Sequence, residues 1–342
     1  MRKTCLGSIV RLYSVPDDMP LIGHIAFGLI DRGTNLIQVR PVSTCPLSCV
    51  FCSVDAGPRS KRRQTEYVVG IEHILDWFRR VAMIKRGKVQ AHIDTVGDPV
   101  TYPYLVELVH GLANMSNVSV VSIETNGVLL TEKMVDRLEA AGLSRINLSI
   151  HSLDPEKAKG IVGSRLYDVE RVKGIAEYVA QCTGLDLIIT PVWVPGINDQ
   201  DIHQIIKYAL EIGAGKRCPP LGIQKYEAHK YGRKPEGIRP MSWRRFYSEL
   251  RRLERKYGVK LVLSPQDFGI FKDIRLPLAG KRGENVRVEV VGPGWLKGQW
   301  LGVFRERCVT LVGVRGAAPI GEKIHAKLLR VKHNIYVARV LR

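Results

Sequence analysis

Six times between residues 36 and 257 a short β-branched run gives way to a longer amphipathic pattern, and this alternation limits the fold more than any other feature of the chain. Strands are expected at 36–40, 89–94, 118–124, 145–150, 185–190 and 221–226, and helices at 68–85, 102–113, 132–141, 168–181, 201–212 and 243–257. Repeated βα units specify a parallel sheet covered by helices. Six are too few to close an eight-stranded barrel, so an α/β fold of the partial (β/α)6 barrel type is expected. Residues 23–38 precede the repeats as a hairpin turning at Asp31-Arg32-Gly33. After them the pattern changes to short strands at 286–290, 300–304, 323–331 and 335–340, broken by Gly292-Pro293-Gly294 and Gly313. That segment reads as a small all-β barrel or sandwich. The expected division is an N-terminal hairpin extension at 1–35, the partial barrel at 36–265, a linker carrying Pro277 at 266–282, and the small barrel at 283–342.

The composition agrees with about two folded domains in 342 residues. A hydrophobic fraction of 45% excludes disorder, and 32 Gly and 18 Pro without a period exclude collagen-like classes. No apolar run approaches the roughly 20 residues of a membrane span. The start Met1-Arg2-Lys3-Thr4-Cys5 faintly resembles a signal peptide, but Arg11 interrupts its apolar segment, so a cytoplasmic protein is expected. Lys and Arg number 52 against 33 Asp and Glu, a net charge of +19, and +9 of it lies in the last 62 residues. Such an excess points to a polyanion, nucleic acid before membrane, or else to the surface of a hyperthermophile.

Seven cysteines are an odd count, and Cys45, Cys49 and Cys52 fall within eight residues directly after the first strand. A long, lysine-rich chain of cytoplasmic character is a poor disulfide scaffold, so no disulfide partner is expected and the cluster asks for a metal. Thiolates suit zinc or iron–sulfur clusters. A structural zinc site wants four protein ligands, whereas three on a cubane leave one iron open to a reagent.

This C-x3-C-x2-C spacing, with Phe51 just before the last cysteine, resembles the signature of the radical S-adenosylmethionine (SAM) superfamily. The resemblance runs from Leu36 to Val262. It implies a [4Fe–4S] cluster on Cys45, Cys49 and Cys52, SAM on the free iron, and a 5′-deoxyadenosyl radical that abstracts hydrogen from substrate. It implies an electron donor such as ferredoxin or flavodoxin as well. Other strand ends carry the likeness. Gly97-Asp98-Pro99 resembles the family's Gly-Glu-Pro turn, with Asp98 for the usual Glu. Glu124-Thr125-Asn126-Gly127 resembles its Thr-Asn-Gly turn. Ser149 and His151 stand where polar residues meet the ribose, Arg165 where a cation pairs the methionine carboxylate, and Gly196-Ile197 where backbone lies along the adenine. Several of these have duller readings: an Asn-Gly loop, a structural histidine, a solvated arginine.

Two basic stretches flank this face. Arg59-Ser60-Lys61-Arg62-Arg63 follows the cluster, either as a solvated surface or as a phosphate contact. The run from Gln224 to Lys234 mixes Lys225, Lys230 and Arg233 with Tyr226 and Tyr231, which are either core residues or a stack for an extracted base. The terminal segment resembles the TRAM domain, a small RNA-holding β-barrel. Lys297, Lys323, Lys327, Arg330, Lys332 and Tyr336 are its candidate RNA contacts. Cys218 is expected to be a small buried hydrophobe.

A radical generator joined to such a barrel is most simply an RNA-modifying transferase acting on tRNA, by carbon methylation or a related C–C bond formation at a base. Methylthiotransferases pair the same two domains, but no second three-cysteine domain precedes residue 36, which argues against sulfur insertion. Cobalamin is compatible with the barrel but not indicated. The rival readings are radical modification of a peptide or protein side chain, and an RNA-binding protein with a sensor cluster. Removing 281–342 is expected to spare cofactor cleavage and abolish RNA binding.

Overall fold

The computed structural model describes residues 10–314, 316 and 320–341. The signal-like start with Cys5, and Arg315 and Arg342 of the charge tally, lie outside them. The elements in chain order are β1 (Arg11–Val15), β2 (Gly28–Asp31), β3 (Leu36–Arg40), β4 (Thr65–Val69), α1 (Ile71–Met83), β5 (Val89–Ile93), α2 (Leu105–Ala113), β6 (Val118–Thr125), α3 (Glu132–Ala140) and β7 (Arg145–Leu148). Then follow α4 (Pro155–Val162), α5 (Val169–Cys182), β8 (Asp186–Ile189), β9 (Val192–Trp193), α6 (Asp199–Glu211), β10 (Gln224–Lys225) and α7 (Trp243–Tyr257). The last five strands are β11 (Asn285–Pro293), β12 (Gln299–Phe304), β13 (Arg307–Val312), β14 (Lys323–Arg330) and β15 (Val337–Val340).

The main sheet has the order β2-β3-β5-β6-β7-β8, with β2 antiparallel and the rest parallel. This is the α/β fold the alternation predicts. The five parallel strands are mostly buried because helices cover them, β6 least so at its first three residues. The sixth unit is weaker than expected. Instead of a strand at 221–226 there is a bridge from Leu221 to Ile189 and the two-residue pairing of β10 on β9.

Three local expectations need correction. The helix expected from residue 68 starts at Ile71, because Thr65-Glu66-Tyr67-Val68-Val69 forms β4 and pairs parallel with β1, both faces being shaped by β-branched and aromatic residues. The chain between β7 and α5 holds α4, whose Asp154 side chain caps the Lys157 amide, whose first residue is Pro155, and which ends at Gly163 with φ of 65°. In the terminal segment Gly292 and Pro293 do not break a strand; they belong to β11, where a bulge between Val290 and Gly292 takes up the irregularity.

The terminal strands close a five-stranded barrel in the order β11-β12-β13-β15-β14, including a β13 that was not foreseen. Its interior holds Val288, Phe304, Leu311, Leu328 and Tyr336. The barrel is separate in its core but joined firmly to the rest. Trp295, Leu296, Leu301 and Cys308 belong to the large core of the α/β unit. The Gln64 and Thr65 amides donate to the Trp295 carbonyl, Lys297 N donates to Arg62 O at 2.8 Å, and the Tyr67 hydroxyl donates to Pro293 O at 2.9 Å. On the other side the Cys308 amide donates to Ile22 O, and the Tyr336 amide donates to Gly23 O. Gly23, at φ of 129°, lies so close to Cys308 that any Cβ there would overlap the Cys308 carbonyl.

The boundary expected at 35/36 runs through the β2–β3 hairpin, which is part of the main sheet and not an extension of it. The stretch read as a linker is packed as well: Leu276 N donates to Asp31 Oδ2, the Asn35 amide donates to Phe271 O, and the Phe271 amide donates to the Asn35 side-chain oxygen Oδ1. Asp31 also meets Lys85 Nζ at 2.7 Å, with both side chains fully buried. No helix among the described residues is long and apolar enough to cross a membrane.

Candidate active site

The loop after β3 carries Cys45, Cys49 and Cys52, and two neighbours clamp it from opposite sides. Ser48 N donates to Val162 O and Val50 N to Ile161 O, so the end of α4 holds one edge. Arg233, beyond β10, holds the other. Its Nε donates to Cys49 O at 2.6 Å, one Nη to Ala56 O at 2.6 Å, and the other to Asp55 Oδ1 at 2.8 Å. Asp55 in turn accepts from the amides of Lys61 and Arg62, which folds the basic run back against the cysteine loop.

All three cysteines line one cavity of about 460 Å³ at the carboxyl ends of the strands. Phe51, Gly97, Asp98, Glu124, Asn126, Ser149 and His151 line it too, so the structure brings most of the expected cofactor residues together. Burial and the neighbouring Cys52 push the Cys49 thiol up to about 12, and burial, with Asp98 and Cys49 adding, also raises Cys45. A cationic cluster removes that cost by binding the thiolates. Among the described residues no three Cys, His, Asp or Glu converge on a single ion. In a cubane each thiolate binds a different iron, so the donor set fits a [4Fe–4S] cluster better than one zinc. The Tyr226 hydroxyl, buried and without a partner, also lines the cavity, a wall position rather than an exposed stack. The six described cysteines are free.

The turns after β5 and β6 are built around Asp98. Its carboxylate accepts from Val100 N, Asn126 N and Thr125 Oγ1 at 2.8–3.0 Å. Those donors offset the burial that raises its pKa. The carboxylate is therefore spent inside the protein, and Asp98 organises the turn instead of presenting a free charge. A Cβ at Gly97 would overlap the carbonyls of Thr44 and Ser43, so only glycine lets this turn approach the exit of β3. His151 Nδ1 accepts from Val192 N at 3.1 Å, and the ring stands edge-on to Phe51 with centroids 4.8 Å apart. Burial lowers its pKa to about 4, leaving a neutral ring with its proton on Nε2. Ser149 shares a hydroxyl contact with Thr190 at 3.2 Å.

Other expected residues lie elsewhere. Pro99 is buried as the first residue of the short helix 99–101. Arg165 and Gly196 are exposed and do not line the cavity, because α4 carries the first away and the Asp199 carboxylate binds the Gly196 amide. Ile197 packs behind Phe51 with Val194.

A chain with these cysteines on this scaffold can be compared with known proteins. The model of the Radical SAM superfamily matches residues 39–209. The chain belongs to the radical SAM superfamily. An uncharacterized protein of Methanocaldococcus jannaschii is 39% identical over 347 residues, covering 96% of this chain and 80% of its own. The GTP 3′,8-cyclase of Microcystis aeruginosa is 29% identical over 178 residues, 52% of this chain and 53% of its own. This radical SAM protein thus spans about half the length of the cyclases it matches. Among solved structures, the FeFe-hydrogenase maturase HydG of Carboxydothermus hydrogenoformans superposes with a TM-score of 0.50 at 14% identity, over 72% of this chain and 51% of its own, a likeness of fold. The family implies a [4Fe–4S] cluster and SAM, which the donor set above accommodates.

The expected RNA contacts divide by burial. Arg59, Lys61, Arg62, Lys230, Lys297, Lys323, Lys327, Arg330 and Lys332 are exposed. Four are not available to a phosphate. Arg63 is fully buried, donating to the carbonyls of Val54 and Ser43, to that of Val96, and to Glu66. Arg233 is spent on the cysteine loop. Lys225 pairs with Glu227 at 2.6 Å with its side chain buried, and Tyr336 lies in the barrel interior. Sequence reasoning gave no site role to the cavity residues Asp94, Thr95, Gln224 and Glu227; Asp94 and Thr95 directly follow β5, where a polar residue after an apolar run is the available signal, while Gln224 opens β10 and Glu227 lies just past it.

Proposed function

We propose that this radical SAM enzyme modifies RNA, at a tRNA base, by carbon methylation or a related C–C bond formation. The observation that carries this reading is a continuous cationic path from the small barrel to the cavity mouth. Lys297 of the barrel is bonded through its amide to the Arg62 carbonyl, and the Arg62 guanidinium lies 5.9 Å from the Tyr231 ring, which Lys230 covers at 5.2 Å. Two residues further back, His229 lines the cavity. On the barrel itself, Lys327 faces Arg339 across β14–β15. Like charges placed directly opposite destabilise a sheet, so their presence points to an anion that screens them.

When bound, the reduced cluster and SAM supply a 5′-deoxyadenosyl radical, the family's means of taking hydrogen from a C–H bond. The chain's own residues do the rest. Cys45, Cys49 and Cys52 hold the cluster, Arg233 and α4 keep their loop in place, and Asp98 sets the turns of Gly97 and Asn126 against it. His151 offers an Nε2 proton donor and Phe51 an apolar wall. The one-electron input comes from a ferredoxin- or flavodoxin-class donor. The cyclases above carry GTP in their name, but here Asp94, Glu124 and Glu227 line the cavity and its lysine is already paired. An uncharged base suits that lining better than a triphosphate, whose place is the cationic rim outside.

The test is 5′-deoxyadenosine release by anaerobically reconstituted protein given SAM, dithionite and either bulk tRNA or protein extract. Stimulation by tRNA is expected; stimulation by the protein extract alone overturns the proposal.

A further inference from the structure

We propose that the solvent face of α7 is a second RNA contact: Trp243 and Tyr247 stack on bases flanking the one that enters the cavity, and the arginines behind them hold phosphates. This rests on the RNA reading above and adds a surface that neither the barrel nor the cluster loop contains.

Trp243 and Tyr247 are one helical turn apart on α7, stacked with centroids 5.6 Å apart and planes 25° apart. They are nevertheless 54% and 37% exposed. Trp243 is held firmly, with Phe246 edge-on to it and the Lys225 ammonium 4.7 Å from its ring. Large aromatic rings that are rigid and half in water lose little entropy on binding. Their position decides what they meet. Lys225 lines the cavity, so the ring it covers stands one side chain from the rim.

The charges on the same helix select the partner. Arg244, Arg245, Arg251, Arg252, Arg255 and Lys256 are all exposed. Of the two acids, Glu249 pairs with Arg252, and Glu254 accepts from the amides of Leu261 and Val262. The first turn contains no acid, although Arg244 and Arg245 stand there against the positive end of the helix dipole. A helix shaped only for stability places carboxylates at that end. Six cations repel a second copy of the same face, whereas aromatic stacking beside a phosphate-binding stripe is the recognition mode of single-stranded or looped nucleic acid.

The experiment measures binding of bulk tRNA, and of a short single-stranded oligonucleotide, at several salt concentrations by the full-length reconstituted protein. Trp243→Ala/Tyr247→Ala is expected to weaken oligonucleotide binding by about tenfold or more, and Trp243→Phe to restore most of it. Arg251→Gln/Arg255→Gln, at exposed positions that keep the helix intact, is expected to lower the slope of log K against log salt by about 1.4. Unchanged melting and iron content confirm that the variants fold. Wild-type protein that binds tRNA, with variants of equal affinity and slope, overturns the role of α7 and leaves the RNA reading standing. Wild-type protein that shows no salt-dependent tRNA binding overturns both.

Discussion

The indole of Trp295 lies over the guanidinium of Arg63, with the Arg63 Cζ 4.9 Å from the ring centroid. Through this contact the small barrel covers the arginine that binds Val54 beyond the cysteine loop, Ser43 at the exit of β3, and Val96 beside the Gly97 turn. The barrel is part of the cofactor site's support, not an appendage that can be cut away. Arg63→Ala leaves three carbonyls and Glu66 without their donor in a buried place, and is expected to cost about 3–5 kcal/mol. Trp295→Ala costs a similar amount through its cavity. Thermal denaturation of the two variants checks this. Protein lacking 281–342 is expected to take up less iron on reconstitution, and full incorporation by the truncation contradicts the supporting role.

Arg233 predicts a different failure. Its side chain ties Cys49, Asp55 and Ala56 together from outside the loop. Arg233→Met keeps the aliphatic stem but releases the loop, so the cluster is expected to become labile to chelators while the protein stays folded. Iron retained after EDTA treatment is the measurement; retention equal to wild type counts against the clamp.

Lys327 opposite Arg339 predicts opposite signs for stability and binding. Lys327→Glu turns a repulsive cross-strand pair into an attractive one and is expected to raise stability by about 0.2–1 kcal/mol. The same change is expected to weaken tRNA binding and reduce its salt dependence. A variant more stable yet unimpaired in binding removes this pair from the RNA surface.

His24 makes stability fall with acid. Burial, with Arg40 adding, lowers its pKa to about 3, and Nδ1 accepts from the Ala26 amide, while Nε2 is buried without a partner. The unfolded chain takes up a proton near pH 6.5 and the folded one does not, so unfolding becomes easier as pH drops below 6.5. Between pH 6 and 4.5 the loss from this one group is about 2 kcal/mol. Denaturant titrations of wild type and His24→Phe over that range are expected to show a shallower decline in the variant; parallel curves would show that His24 is not the cause.

The repeats and the cysteine loop were legible because periodicity and ligand spacing are local. Strands β3, β5 and β6 and helix α7 stand within a residue or so of their expected places. The misses have tertiary causes. Nothing adjacent to Thr65–Val69 reveals that Arg11–Val15 lies beside it. The charge run at Arg59–Arg63 reads as uniform, yet Arg63 is buried by a tryptophan 232 residues away, while Arg62, next to it, is exposed. Arg233 likewise looks like a surface base until the fold brings Asp55 to it. Tyr336 reads as an RNA contact by its type, but alternation places it among the inward residues of the barrel. The stacked pair on α7 was visible only as helix periodicity, since exposure cannot be read from spacing alone.

The docking of Tyr336 and Cys308 on the Ile22–Gly23 turn carries a consequence for biogenesis. The early turn of the chain is completed by its last strands, and the same barrel shields Arg63. During translation the thiol loop and Arg63 are made long before Trp295, so the support this tryptophan gives the arginine is absent from the nascent chain until the barrel has been synthesised.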